Sequence, residues 1–145
     1  MRNVIAMAFI LLVGSGCHSV EQTHPAETEK PDYIPPAYAV VDHQGVITNR
    51  ETFYSFLESV RRGQKHKIKV VTYTKEGDPL LHDVVFDGEK IQSIYDTTRD
   101  EYGQGTIEST TCERLAEKEL GQEMEYFIEG CDTTGGVITI LIMEK

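Results

Sequence analysis

Basic residues are scarce in this chain. Its 14 Lys and Arg stand against 24 Asp and Glu, a formal net charge of −10. That balance argues against a nucleic-acid partner and against a polybasic grip on anionic lipid. Long hydrophobic runs are missing as well. Val4 to Val13 is an uninterrupted apolar run, but a mature membrane span needs about 20 such residues. There is no Gly-x-Ser-x-Gly elbow, no His-Glu-x-x-His, no phosphate loop and no dinucleotide fingerprint. Neither Cys112 nor Cys131 has a His or second Cys at zinc-ligand spacing nearby. The reading is therefore a protein with no catalytic residues, no metal and no cofactor. No internal repeat is visible.

What is present begins at the N-terminus. Arg2 gives a positive start, the apolar run follows, and then come Gly14, Ser15, Gly16 and Cys17. A short apolar core followed by small residues is the pattern of a signal peptide. With the cysteine it resembles the bacterial lipoprotein signal, in which that cysteine is acylated, by palmitate among others, and becomes the new N-terminus. Gly14 stands where the usual lipobox has Leu. The competing reading is an ordinary secretory signal with Cys17 left as a free thiol. On the lipoprotein reading, residues 1–16 are the signal peptide and Cys17 is the lipidation site. The mature protein then sits on the extracytoplasmic face of the cell membrane, where each buried methylene contributes about 0.8 kcal/mol.

Residues 17–38 read as a tether. They hold Pro25, Pro31, Pro35 and Pro36, four of the five prolines, among Glu, Thr, His and Lys. Such a stretch has too little apolar surface to fold alone, and its prolines keep it extended. Residues 39–145 read as one globular domain. Cys112 and Cys131 form an even pair in an oxidising compartment, so a disulfide between them is expected. It would close a loop of about 20 residues and contribute about 3 kcal/mol, with Cα atoms about 4.4–6.8 Å apart.

Within the domain, two short extended pieces flank a turn at Asp42–Gly45. A helix follows, with Asn49 as N-cap, an apolar face of Phe53, Phe56, Leu57 and Val60, and Gly63 as its stop. His66–Thr74, Leu80–Phe86 and Lys90–Asp96 alternate as strands. A two-residue hairpin at Asp87-Gly88 would set Val84 opposite Ile91, His82 opposite Ser93 and Leu80 opposite Tyr95, all six on one face. A three-residue loop before it would add Ile68, Val70 and Thr72 to that face. An even one would bring Val71 and Tyr73 instead. Thr106–Cys112 reads as a strand, Arg114–Leu120 as a short helix ended by Gly121, and Met124–Glu129 as a strand. Val137–Met143, almost wholly apolar, reads as an interior strand buried on both faces. The sum is an α+β architecture: one principal helix packed on an antiparallel sheet of about six strands, plus the short second helix. Short strand, helix and meander in that order resemble cystatin-like folds, a likeness of shape that carries no function.

Two features invite a chemical reading. His82 falls on the core face, where a buried histidine bonded to Ser93 is the plain account. The run from Tyr95 to Gly105 packs Asp96, Arg99, Asp100 and Tyr102 into a loop leaving a sheet. Tyrosine and arginine are favoured at binding hot spots, and a rigid scaffold presents such loops well. The plain alternative is a turn whose acids bond nearby backbone amides while Arg99 pairs locally. Its acids do not follow the EF-hand spacing.

The run from Gly45 to the C-terminus resembles a family of small lipoproteins of Bacillus and related bacteria that share a domain of unknown function. The pieces that carry the resemblance are Tyr73-Thr74-Lys75-Glu76-Gly77-Asp78-Pro79, Tyr95-Asp96, Thr98-Arg99-Asp100, Tyr102-Gly103, Cys112 and Gly130-Cys131. The resemblance implies a Gram-positive envelope and paired cysteines, and it implies no activity. The function expected is thus a non-enzymatic, membrane-anchored module that binds a protein, a peptide or an envelope component. An inhibitor or regulator of an envelope enzyme is the first alternative. A hydrolase with a site scattered in sequence is the second.

Overall fold

The computed structural model describes residues 32–132 and 136–145. The signal segment, Cys17, the tether up to residue 31 and residues 133–135 of the last turn lie outside the described residues. The chain runs β1 (Val40–His43), β2 (Val46–Thr48), α1 (Arg50–Arg61), β3 (His66–Tyr73), β4 (Pro79–Phe86), β5 (Ile91–Asp96), β6 (Ile107–Cys112), β7 (Arg114–Leu120), β8 (Glu123–Glu129) and β9 (Val137–Glu144). Strands β2-β1-β3-β4-β5-β6 form one sheet and β7-β8-β9 a second.

This corrects the expected α+β class. Among the described residues 51% are strand and 11% helix, in one helix and two sheets, so the fold is sheet-dominated. Nor is the larger sheet purely antiparallel. β1 lies parallel to β3, with Val40 opposite Val70, because β2 and α1 form the crossover between them. The helix has the expected face: Phe53, Phe56 and Leu57 are buried and Val60 is partly so. It ends where Gly63 N–H donates to the Val60 carbonyl at 3.0 Å. Asn49 stands at the N-cap position but its side chain does not cap. Its backbone is left-handed (φ 56°), and its Nδ2 donates to the carbonyls of Ala37 (3.1 Å) and Ala39 (2.6 Å). The asparagine ties the helix start to the chain entering β1.

The hairpin registers are shifted in length but not in face. Asp87–Lys90 is a four-residue loop, closed by Asp87 N–H to the Lys90 carbonyl at 3.1 Å. Ile91 therefore sits opposite Phe86, Ser93 opposite Val84 and Tyr95 opposite His82. The slip from the expected pairs is two residues, and a shift of two leaves every side chain on its original face. The β3–β4 loop has five residues, 74–78, where three were expected. Both lengths are odd, so Ile68, Val70 and Thr72 keep the expected face, with Ile68 paired to Val84, Val70 to His82 and Thr72 to Leu80.

Arg114–Leu120 is a strand, not the expected short helix. It pairs antiparallel with β8 from Arg114–Glu129 to Leu120–Glu123, leaving Gly121 and Gln122 as a two-residue turn. Gly121 has φ 64°, the left-handed conformation such hairpin turns require. Arg114 Nε reaches Glu129 Oε1 at 2.6 Å across the pair. Local helix propensity loses here to cross-strand pairing. β6 and β7 are separated only by Glu113, so one long strand leaves the first sheet and enters the second. β9 is an edge strand, not an interior one. A bulge between its pairings to Tyr126 and Phe127 makes Ile140 and Leu141 both point inward, while Val137 and Ile142 are exposed.

The main core is shared by α1 and both sheets. Phe53 and Phe56 meet Val40, Ile68, Val70, Val84, Phe86 and Ile91 from the first sheet and Tyr126, Ile128 and Leu141 from the second. Phe53 packs edge-on against Tyr126, ring centroids 5.0 Å apart. A small second cluster lies on the other face of the larger sheet, where Tyr33, Val41 and Tyr73 pack on Ala39, Val71 and Leu81. Cys112 and Cys131 are bonded, with sulfurs 2.04 Å and Cα atoms 3.9 Å apart. The Cα separation is shorter than the expected range. With no helix at 114–120 to pin, the bridge instead ties the end of β6 to the residue just beyond Gly130, stapling one sheet to the other.

Candidate functional site

In an antiparallel meander, alternate turns emerge at the same end of the sheet. The β3–β4 loop and the long β5–β6 loop therefore meet, although Asp78 and Glu101 are 23 residues apart in the chain. Thr74 N–H donates to the Asp78 carbonyl (2.9 Å) and Asp78 N–H to Thr74 Oγ1 (3.0 Å), closing the first loop. Thr97 and Thr106 close the second, with Thr97 N–H to the Thr106 carbonyl at 2.9 Å and Thr106 N–H to Thr97 Oγ1 at 3.0 Å. The two loops are joined by Glu101 N–H donating to Asp78 Oδ2 at 3.0 Å.

The four residues proposed as a binding surface have unequal roles. Asp96 Oδ1 accepts from Thr98 N–H (2.8 Å) and from the Thr98 hydroxyl (2.6 Å), which hold its carboxyl below the usual carboxylate range. Asp100 Oδ1 accepts from the N–H groups of Tyr102 and Gly103, each at 3.0 Å. Both acids thus act as turn formers, the plain alternative for them. Gly103 belongs to the same turn, since a Cβ there would lie 2.5 Å from Asp100 Oδ2. Arg99 is half-buried, its guanidinium over the Tyr33 ring at 5.1 Å from the centroid. Tyr102 is 80% exposed. Of the four, only Tyr102 presents its whole side chain outward.

Beside this loop lies a cleft of about 310 Å³, lined by Tyr33, Tyr73, Asp78, Pro79, Arg99 and Glu101 among others. It brings together two of the stretches that carried the sequence resemblance, Tyr73–Pro79 and Thr98–Asp100. Tyr33, Tyr73, Asp78 and Glu101 were not singled out as site residues. The signal that could have found Tyr73, Asp78 and Glu101 is the meander order, which brings alternate turns out at one end of the sheet; Tyr33 precedes β1 and has no such signal. Burial, with the neighbouring Tyr33, raises the Tyr73 phenol above its ordinary value. The cleft brings two tyrosine hydroxyls, the acidic side chains of Asp78 and Glu101 and the Arg99 guanidinium together. Among the described residues, no group of three or more His, Cys, Asp or Glu is placed to hold a metal ion.

His82 is 3% exposed and Ser93 is 2% exposed, and His82 Nε2 lies 2.8 Å from Ser93 Oγ. The histidine is where the alternation put it. The pair has the distance of a nucleophile and base, but burial pushes the imidazole down to about 4, and neither residue lines the cleft. Tyr95 packs edge-on to His82 with centroids 5.3 Å apart.

No curated protein and no solved structure matches the chain. Among protein-family models, the domain of unknown function DUF4362 matches residues 38–127. That segment holds α1, the whole larger sheet, both loops of the cleft, β7 and most of β8, so this chain belongs to the DUF4362 family.

Proposed function

We propose that this protein is a lipid-anchored, extracytoplasmic binding module of a Gram-positive envelope, and that its recognition surface is the loop Asp96–Gly105 with the adjoining cleft. The N-terminal signal ending at Cys17 supports the anchor. The observation that carries the recognition surface is Tyr102, 80% exposed at the tip of a loop whose turns are held by Asp96 and Asp100. An aromatic ring held out by a rigid loop loses little entropy on binding, which favours it as an anchor. The partner fitting this surface is a protein or peptide that covers the ring and places polar groups over Arg99, Asp78 and Glu101.

The test is capture of envelope components by the tagged mature protein, with Tyr102→Ala and Arg99→Ala in parallel. Both changes should abolish capture. Tyr102→Ala should leave the melting temperature unchanged, and Arg99→Ala should cost only about 0.5–1 kcal/mol through its lost ring contact. A partner retained by both variants sinks the surface. The anchor is tested separately. Cys17→Ser should release the protein from the membrane or leave it unprocessed, and a wild type found wholly soluble with an unmodified Cys17 overturns it.

A further inference from the structure

The last strand of the larger sheet, β6, has an open side. Main-chain bonds on both sides of it fix which residues face that way. Thr97 N–H donates to the Thr106 carbonyl at 2.9 Å, so by alternation Glu108 and Thr110 turn their main-chain groups to β5. Ile107, Ser109 and Thr111 turn theirs outward. Bonds on the outer side agree: the Thr111 carbonyl accepts from Asp132 N–H at 3.0 Å, and Glu113 N–H donates to the Glu129 carbonyl at 2.9 Å. The chain at Asp132 thus closes the edge beside Thr111. Before that point, the N–H and C=O groups of Ile107 and Ser109 have no partner among the described residues. Ile107 is 64% exposed, and Glu108 and Ser109 are exposed as well.

We infer that β6 adds an extended strand of a partner protein along Ile107–Ser109, one with a basic residue opposite Glu108 and an aliphatic residue beside Ile107. Main-chain groups left open on an edge select an extended backbone. Ile107 shares a sheet face with Ile94, the partner of Ser109, and offers an apolar side chain to pack against. Charge selects the rest. Glu108 is the only charged residue of β6, and neither β5 nor β6 holds a Lys or Arg. Among the described residues no ion pair engages Glu108, or Asp132 at the end of the open stretch. The edge is therefore negative and has no cation of its own. A second copy is selected against. Antiparallel self-pairing centred on Glu108 sets that acid against itself, in a chain of net charge −10. A lysine or arginine at that position is attracted instead. The pairing rests on the reading of the protein as a binding module, but on neither the loop nor the cleft.

The experiment uses the full chain in detergent and a fluorescein-labelled hexapeptide of alternating Val and Lys, followed by anisotropy. The peptide should bind with a Kd below about 1 mM, and its Val-Glu counterpart at least tenfold more weakly. Two analogues are N-methylated, one on every valine and one on every lysine. Only one set of amides faces the edge, so their affinities should differ at least tenfold. Ser109→Pro removes an outward N–H where an edge strand accepts proline, so it should keep the melting transition and lose binding at least tenfold. Glu108→Lys changes an exposed side chain and decides the matter if Ser109→Pro fails to fold. It should weaken the Val-Lys peptide and strengthen the Val-Glu one, each at least threefold. Equal affinity of the two methylated analogues, or unchanged affinity in both variants, means general attraction to an acidic chain and overturns the proposal. So does no binding up to about 1 mM, or a dimer of the free chain that Ser109→Pro dissociates, which places a second copy on the edge. The peptide probes the edge alone, while capture by the loop variants is read separately, so each reading fails by itself.

Discussion

Burial holds the His82 imidazole at about 4, against an ordinary value of 6.5, and this gives a single side chain control over part of the pH dependence of folding. The unfolded chain takes up this proton near pH 6.5, while the folded chain resists it until about 4. The stability is therefore complete above 6.5, falls as the pH drops from 6.5 towards 4, and levels off below. The full effect is at most about 3 kcal/mol. His82→Gln should be less stable than wild type at pH 7.5, and the gap in urea unfolding free energy should shrink by up to that amount at pH 4.5. An equal gap at both pH values removes the account. The side chain's place was legible because strand alternation is local: His82 shares a face with Val84 by alternation, and with Ser93 for any even hairpin length. Asn49 was not legible in the same way. Its residue type suits an N-cap, but the nearby carbonyls of Ala37 and Ala39 compete for its amide.

At the scale of elements, β7 is the informative case. Arg-Leu-Ala-Glu-Lys-Glu-Leu is rich in helix formers, and nothing within it signals a strand. Its strand state depends on β8, and proline tests this position by position. Lys118→Pro removes an N–H directed to β8, opposite Glu125, and should cost about 2–3 kcal/mol. Glu119→Pro removes one directed away from β8 and should stay within about 1 kcal/mol. A helix over these residues would lose about 3 kcal/mol at either position. Melting temperatures of the two variants separate the cases. β9 teaches the same lesson differently. Its apolar run suggested burial on both faces, but the bulge accounts for consecutive inward residues at Ile140 and Leu141 on an edge strand.

For the whole molecule, the Cys112–Cys131 bridge joins two sheets that otherwise share the bent β6–β7 strand and the core around Phe53 and Phe56. The double variant Cys112→Ala, Cys131→Ala should lose about 3 kcal/mol, a fall of roughly 10–20 °C in Tm by calorimetry. A change under about 3 °C would mean that the shared strand and core hold the sheets together without it. The cysteine pair, the face of α1 and the shared face of β3, β4 and β5 were determined by the sequence itself. Each rests on a short-range pattern: helical spacing, strand alternation, or a count of thiols. The fate of residues 114–120, the division into two sheets, the parallel β1–β3 pair and the meeting of Asp78 with Glu101 were decided only by tertiary structure. In each of these, backbone groups choose among partners far away in the chain. Residue spacing records which side chains share a face, but the winning partner is the one that satisfies those groups while closing a common core.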